Sequence, residues 1–162
     1  MLEHEQLLEC FTRPFACAVC GEEDVRPVNW YLLAENSWMN RVKILLWSDA
    51  LACQPGVLPV CCAEHVQELV AHWMAVGSLN YPFARVPGQR PAKRLATVPV
   101  EPDTRQGTLV GELAIHRESL TRLLADNPQA LSGMLDALVS ALSKKMPGSV
   151  RLEEATEELA MC

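Results

Sequence analysis

Two short segments decide the fold: Cys17-Ala-Val-Cys20-Gly21 and, about forty residues later, Cys61-Cys62-Ala-Glu-His65. Each segment offers a pair of soft ligands a few residues apart, and two such pairs can surround a tetrahedral zinc ion. Glycine after the second cysteine suits a tight turn, because glycine readily adopts a positive φ. Residues 63–76 then have helical spacing and end before Gly77, which indicates a helix whose positive end would stabilise thiolate ligands.

These residues predict a four-ligand zinc site in a small metal-held unit. The predicted ligands are Cys17, Cys20, Cys62 and His65. Cys61 is an alternate ligand, since the spacing C-x-x-x-H from Cys61 to His65 is also feasible for a metal. The competing interpretation is that these are ordinary buried thiols, because cysteine is among the residues most often buried.

Residues 17–76 resemble the treble-clef group of zinc fingers, in which a knuckle and an irregular hairpin precede a helix whose first turn carries the last two ligands. The resemblance implies that Cys17 and Cys20 are knuckle ligands and that Cys62 and His65 are helix ligands. It also implies a structural zinc ion. The Cys61-Cys62 doublet departs from the pattern, and the resemblance extends to a fold group and no further.

Composition limits the classes of function. A chain of 162 residues with 49% hydrophobic and 21% charged residues is typical of a globular protein with one core, or two small units sharing a surface. The net charge of −6 disfavours a general affinity for nucleic acid, which requires a basic surface. Residues 85–105 are locally basic, with five bases and two acids, and four of these bases are candidate anion contacts: Arg85, Arg90, Lys93 and Arg94.

Seven cysteines and the absence of export signals predict thiols and metal ligands in a reducing cytoplasm, not a disulfide framework. No stretch has the length of uninterrupted apolar residues that spans a bilayer, so we expect no membrane association. The N-terminal sequence lacks the basic and apolar regions of a signal peptide.

The predicted fold class is α+β, with a zinc-stapled module and a helix-rich C-terminal part. We predict three parts: residues 1–79 hold an N-terminal helix and the zinc module, 80–107 form a proline-rich connector, and 108–162 contain one strand and further helices. Val42, Ile44 and Leu46 alternate as in a strand, and we predict a strand at 42–48, although the spacing of Val42, Leu45 and Leu46 also suits a helix. The four tryptophans are expected to cover the metal site in the core: Trp30, Trp38, Trp47 and Trp73.

Two further patterns are candidate functional sites. His65, Glu68 and His72 lie on nearly one face of the predicted helix, where they could serve a metal-dependent hydrolase, although a solvated Glu68–His72 pair is the simpler interpretation. Residues 93–128 more weakly resemble the end of a cyclic-nucleotide-binding domain, which implies that Arg94 contacts a cyclic phosphate. Residues 85–92 contain no acid where that family has a Gly-Glu pair, so nucleotide binding is not our prediction.

The sequence thus favours a zinc-binding interaction or adaptor protein that recognises a protein partner, with a structural metal and no catalytic residues. The alternatives are the hydrolase that uses the 65/68/72 face and a nucleic-acid-binding regulatory protein that uses the basic strip 85–94.

Overall fold

The computed structural model describes residue 10 and residues 13–81 and 101–145. Ten elements follow one another along these residues: β1 (Phe15–Ala16), β2 (Glu23–Asp24), β3 (Tyr31–Asn36), β4 (Arg41–Leu46), α1 (Asp49–Ala52), β5 (Val57–Val60), α2 (Ala63–Val76), β6 (Leu109–Ala114), α3 (Arg117–Asp126) and α4 (Gln129–Lys145). They confirm the predicted α+β class.

A four-stranded antiparallel sheet in the order β5-β3-β4-β6 forms the centre of the fold. β3 and β4 form a hairpin whose register runs from Tyr31 opposite Leu46 to Asn36 opposite Arg41. The tip of the hairpin includes Asn40 with φ of 48°, a left-handed conformation that asparagine tolerates better than most residues. β4 confirms the strand predicted at 42–48.

Helix α2 packs against one face of this sheet through a buried stripe. Val66, Leu69, Val70 and Trp73 recur at the spacing of one helical face, and each is almost fully buried. Gly77 ends the helix with φ of 85°, and its N–H donates to the carbonyl of Trp73 at 2.7 Å. The predicted helix 63–76 and its end at Gly77 are therefore confirmed.

The opposite face of the sheet carries a smaller apolar cluster, formed by Leu32, Ala34, Leu45, Leu51 and Val57. The chain passes close over this cluster at Gly107, where a side chain would come within 2.5 Å of Leu51 Cδ1 and 2.8 Å of Leu45 Cδ2. Glycine at this position lets the segment before β6 lie directly on the cluster.

The C-terminal elements belong to the same core as the N-terminal ones. β6 pairs with β4, and Leu135 and Leu142 of α4 are buried in the same cluster as Trp73. Residues from the parts predicted as 1–79 and 108–162 thus share one sheet and one core, a question that the sequence left open.

Two expectations about individual residues were wrong. Cys10 and Cys53 form a disulfide, whereas the sequence predicted that the cysteines are thiols or metal ligands. Trp38 is 88% exposed at the β3–β4 hairpin tip, whereas Trp30 and Trp73 are buried as expected. None of the helices in the described parts of the chain is long and apolar enough to cross a membrane.

Several predicted features lie outside the described residues. They are most of the N-terminal helix, most of the proline-rich connector, the end of the C-terminal part and the basic strip with Arg85, Arg90, Lys93 and Arg94.

Candidate metal centre

The first ligand pair lies on a tight turn directly after β1. The N–H of Gly21 donates to the carbonyl of Cys17 at 3.0 Å, and the N–H of Cys17 donates to the carbonyl of Glu22 at 2.8 Å. Gly21 has φ of 74°, the positive value expected for a glycine that closes such a turn. The turn therefore directs the side chains of Cys17 and Cys20 toward the same point.

The second ligand pair lies where β5 leads into α2. Cys61 follows the last residue of β5, and His65 lies in the first turn of α2. The two segments are held side by side because the N–H of Ala18 donates to the carbonyl of Pro59 at 2.8 Å. A backbone hydrogen bond thus fixes the distance between the turn and the start of the helix.

Four potential ligand atoms converge between these segments. The sulfur atoms of Cys17, Cys20 and Cys61 and a ring nitrogen of His65 all lie within 4.8 Å of one another. This is a Cys3His donor set, which is typical of tetrahedral metal sites. It unites residues from two segments that are distant in the chain.

The distances between these atoms fit a tetrahedral zinc ion. Zinc–sulfur and zinc–nitrogen bonds of usual length give tetrahedral edges of about 3.8 Å between two sulfurs and about 3.6 Å between sulfur and nitrogen. Cys20 Sγ and Cys61 Sγ lie 3.7 Å apart. Nδ1 of His65 lies 3.9 Å from Cys17 Sγ and 3.1 Å from Cys61 Sγ, values on either side of the ideal edge.

Burial and hydrogen bonds act in opposite directions on the pKa values of the cluster. Burial disfavours the thiolate of Cys17, but the N–H groups of Cys20, Val19 and Cys61 point at its sulfur, and together they lower the pKa of Cys17. Burial and the hydrogen bond to Cys17 raise the pKa of Cys61. Neighbouring thiolates repel one another, and a divalent cation between them would offset this repulsion.

The structure differs from the predicted ligand set at one position. Cys61, the alternate, joins the cluster, whereas Cys62 stands outside it. Cys62 is the N-cap of α2, with an extended backbone at φ of −151° and ψ of 166°. Successive side chains of an extended chain point in opposite directions, so only one cysteine of the doublet can face Cys17 and Cys20.

Of the helix face proposed for a hydrolase, His65 joins the cluster, but Glu68 and His72 do not. The carboxylate of Glu68 accepts a hydrogen bond from the hydroxyl of Tyr81, and Nε2 of His72 donates to the carbonyl of Asn80 at 3.0 Å. Glu68 and His72 therefore bond to the segment that follows α2, and neither belongs to the metal cluster.

Comparison of the chain with models of protein families, with curated proteins and with solved structures found no match.

Proposed function

We propose that the chain is a zinc-binding interaction protein with a structural metal centre at Cys17, Cys20, Cys61 and His65. The convergence of four soft ligand atoms at near-tetrahedral separations supports this proposal. Thiolates and imidazole are ligands that zinc accepts readily. The order of the segments, a knuckle followed later by a ligand in the first turn of a helix, is the order found in treble-clef zinc fingers.

A structural role follows from the number of protein ligands. Four protein ligands complete the tetrahedral shell and leave no position for a substrate or a reactive water molecule. A metal at this point would join the knuckle after β1 to the start of α2, so its binding energy would contribute directly to folding.

Recognition of a protein partner is the role we assign to the module. Glu68 and His72 of α2 are engaged in hydrogen bonds away from the cluster. The described residues bring no nucleophile, base and orienting group together beside the metal cluster. Binding of another protein by a surface that the metal stabilises is therefore a better proposal than hydrolase activity.

The test exploits the cysteine doublet. Purified wild-type protein should contain one equivalent of zinc by elemental analysis, and Cys61→Ser should lose most of it. Cys62→Ser is the matched control, because it makes the same chemical change at the adjacent residue outside the cluster. We expect Cys62→Ser to retain the metal.

Cobalt substitution adds information about geometry, since Co²⁺ in a tetrahedral thiolate site has intense visible and charge-transfer absorption. The wild type and Cys62→Ser should show these bands, and Cys61→Ser should not. Wild-type protein without stoichiometric metal, or equal metal loss in both variants, would contradict the proposed centre.

A further inference from the structure

The strand β2 forms an outer sheet edge next to the proposed metal centre. It pairs with β1 in a two-stranded sheet, with Ala16 opposite Glu23. On the other side of β1 the chain is bonded to β5, because the N–H of Ala18 donates to the carbonyl of Pro59. β1 therefore lies between β5 and β2, and among the residues that the structure describes β2 is the outer strand of this arrangement.

The hydrogen-bond pattern determines which backbone groups face outward. The N–H of Cys17 donates to the carbonyl of Glu22, so this pair and the pair Phe15–Asp24 are the hydrogen-bonded ones. Pairs alternate along an antiparallel ladder, so the N–H and C=O of Glu23 point away from β1. Such an edge can accept another strand by backbone pairing.

Side chains at this edge are apolar and acidic. Val25, which follows β2 directly, is 56% exposed, and Val28, three residues further along the chain, is 74% exposed. The exposed acids of the same segment are Glu22, Glu23 and Asp24, whereas Arg26 is the only base among residues 22–28. In the proposed centre, three thiolates and one divalent cation would add a further net negative charge beside the edge.

We propose that the outer edge of β2, with Val25 and Val28, binds an extended segment of a protein partner in which basic and apolar residues alternate. The inference rests on the proposed function and specifies the chemistry of its partner. Backbone pairing at Glu23 supplies affinity, the valines receive apolar side chains, and the acids select basic ones. The acidic rim also repels the phosphate backbone of nucleic acid.

The probe is a fluorescein-labelled peptide, Lys-Val-Arg-Val-Lys-Val, titrated with zinc-loaded full-length protein and followed by fluorescence anisotropy. We expect saturable binding that weakens about tenfold or more in Glu23→Lys. Asp126→Lys is the control, because it makes the same change in net charge at an exposed position on α3. Its dissociation constant should stay within about twofold of the wild-type value.

A second peptide of the same charge, with N-methyl groups at alternate amides, distinguishes backbone pairing from charge attraction. Its methylated amides have no N–H to donate. This peptide should bind much more weakly than the parent. Equal binding of the two peptides, or equal weakening by Glu23→Lys and Asp126→Lys, would overturn the proposal and indicate attraction by net charge alone.

Zinc content is measured on every sample, so that a failure of the proposed metal centre can be distinguished from a failure of the proposed docking edge. Wild-type protein that holds one equivalent of zinc but shows no binding at millimolar peptide would overturn the docking edge and leave the metal centre intact. Protein that binds the peptide as expected but holds no zinc would overturn the metal centre alone.

Discussion

The carboxylate of Glu35 joins the central sheet to the end of α2, and its replacement by glutamine should destabilise the fold. Oε1 of Glu35 accepts a hydrogen bond from Nε1 of Trp73 at 3.2 Å, and Oε2 accepts one from the N–H of Leu79 at 3.1 Å. Trp73 and Leu79 are both buried. A glutamine offers only one acceptor oxygen, so its amide group must face one of these two donors.

The expected loss follows from the number of bonds affected. Hydrogen bonds to charged groups contribute about 1.5–3 kcal/mol each, and the substitution removes one of them. We therefore expect Glu35→Gln to lower the free energy of unfolding by about 2 kcal/mol or more. For a chain of this size, each kcal/mol lowers Tm by about 2–4 °C.

Urea unfolding followed by tryptophan fluorescence measures the effect. Glu101→Gln is a suitable control, because Glu101 is an exposed carboxylate that accepts one hydrogen bond from Asn36 at 2.8 Å. This control should change stability by less than about 0.5 kcal/mol. If Glu35→Gln is as stable as the control, the bridging role of Glu35 is refuted.

Three further perturbations test other parts of the fold by urea or thermal unfolding. Gly77→Ala should cost at least about 1 kcal/mol, because φ is 85° and a Cβ would lie 2.5 Å from the guanidinium of Arg117, whereas Gly111→Ala, with no atom within 4 Å, should not destabilise. Leu142→Ala should cost about 2–5 kcal/mol, since Leu142 is 1% exposed; a loss below about 1 kcal/mol would contradict its place in the core. Cys53→Ser opens a disulfide with a sequence separation of 43 and should cost about 4 kcal/mol, an effect that a phosphine reductant should reproduce in the wild type and not in the variant.

Local signals in the sequence were sufficient for most elements. The apolar stripe of α2 indicated the helix, and the glycine after it marked where the helix ends. β3 was harder to recognise. Pro27 disfavours a central strand in the segment around it, but β3 begins at Tyr31, beyond the proline, and lies between β4 and β5.

Features that depend on distant contacts were not predictable. The Cys10–Cys53 disulfide joins residues whose proximity is set by the tertiary fold, and cysteine connectivity cannot be deduced from one sequence. Tryptophan is apolar and is expected in a core, yet Trp38 lies on the turn between β3 and β4, where none of the described elements covers it.

The ligand doublet was ambiguous for a similar reason. Spacing alone allows either Cys61 or Cys62 to accompany His65, and the choice depends on how the end of β5 faces the knuckle. The cap position of Cys62 was the usable signal. A residue at the N-cap has an extended backbone, so the direction of its side chain is set by the strand that precedes it.

The contact between the knuckle and β5 also protects a sheet margin against self-association. β5 is the first strand in the order β5-β3-β4-β6, and the exposed margin of such a strand is a template for pairing with another chain. At Pro59 the outward position carries no N–H, since proline has none, and its carbonyl is already taken by Ala18. Residue 59 therefore offers an incoming strand neither a backbone donor nor a free backbone acceptor. The segment that carries Cys17 and Cys20 thus also blocks strand pairing at this point of the sheet edge.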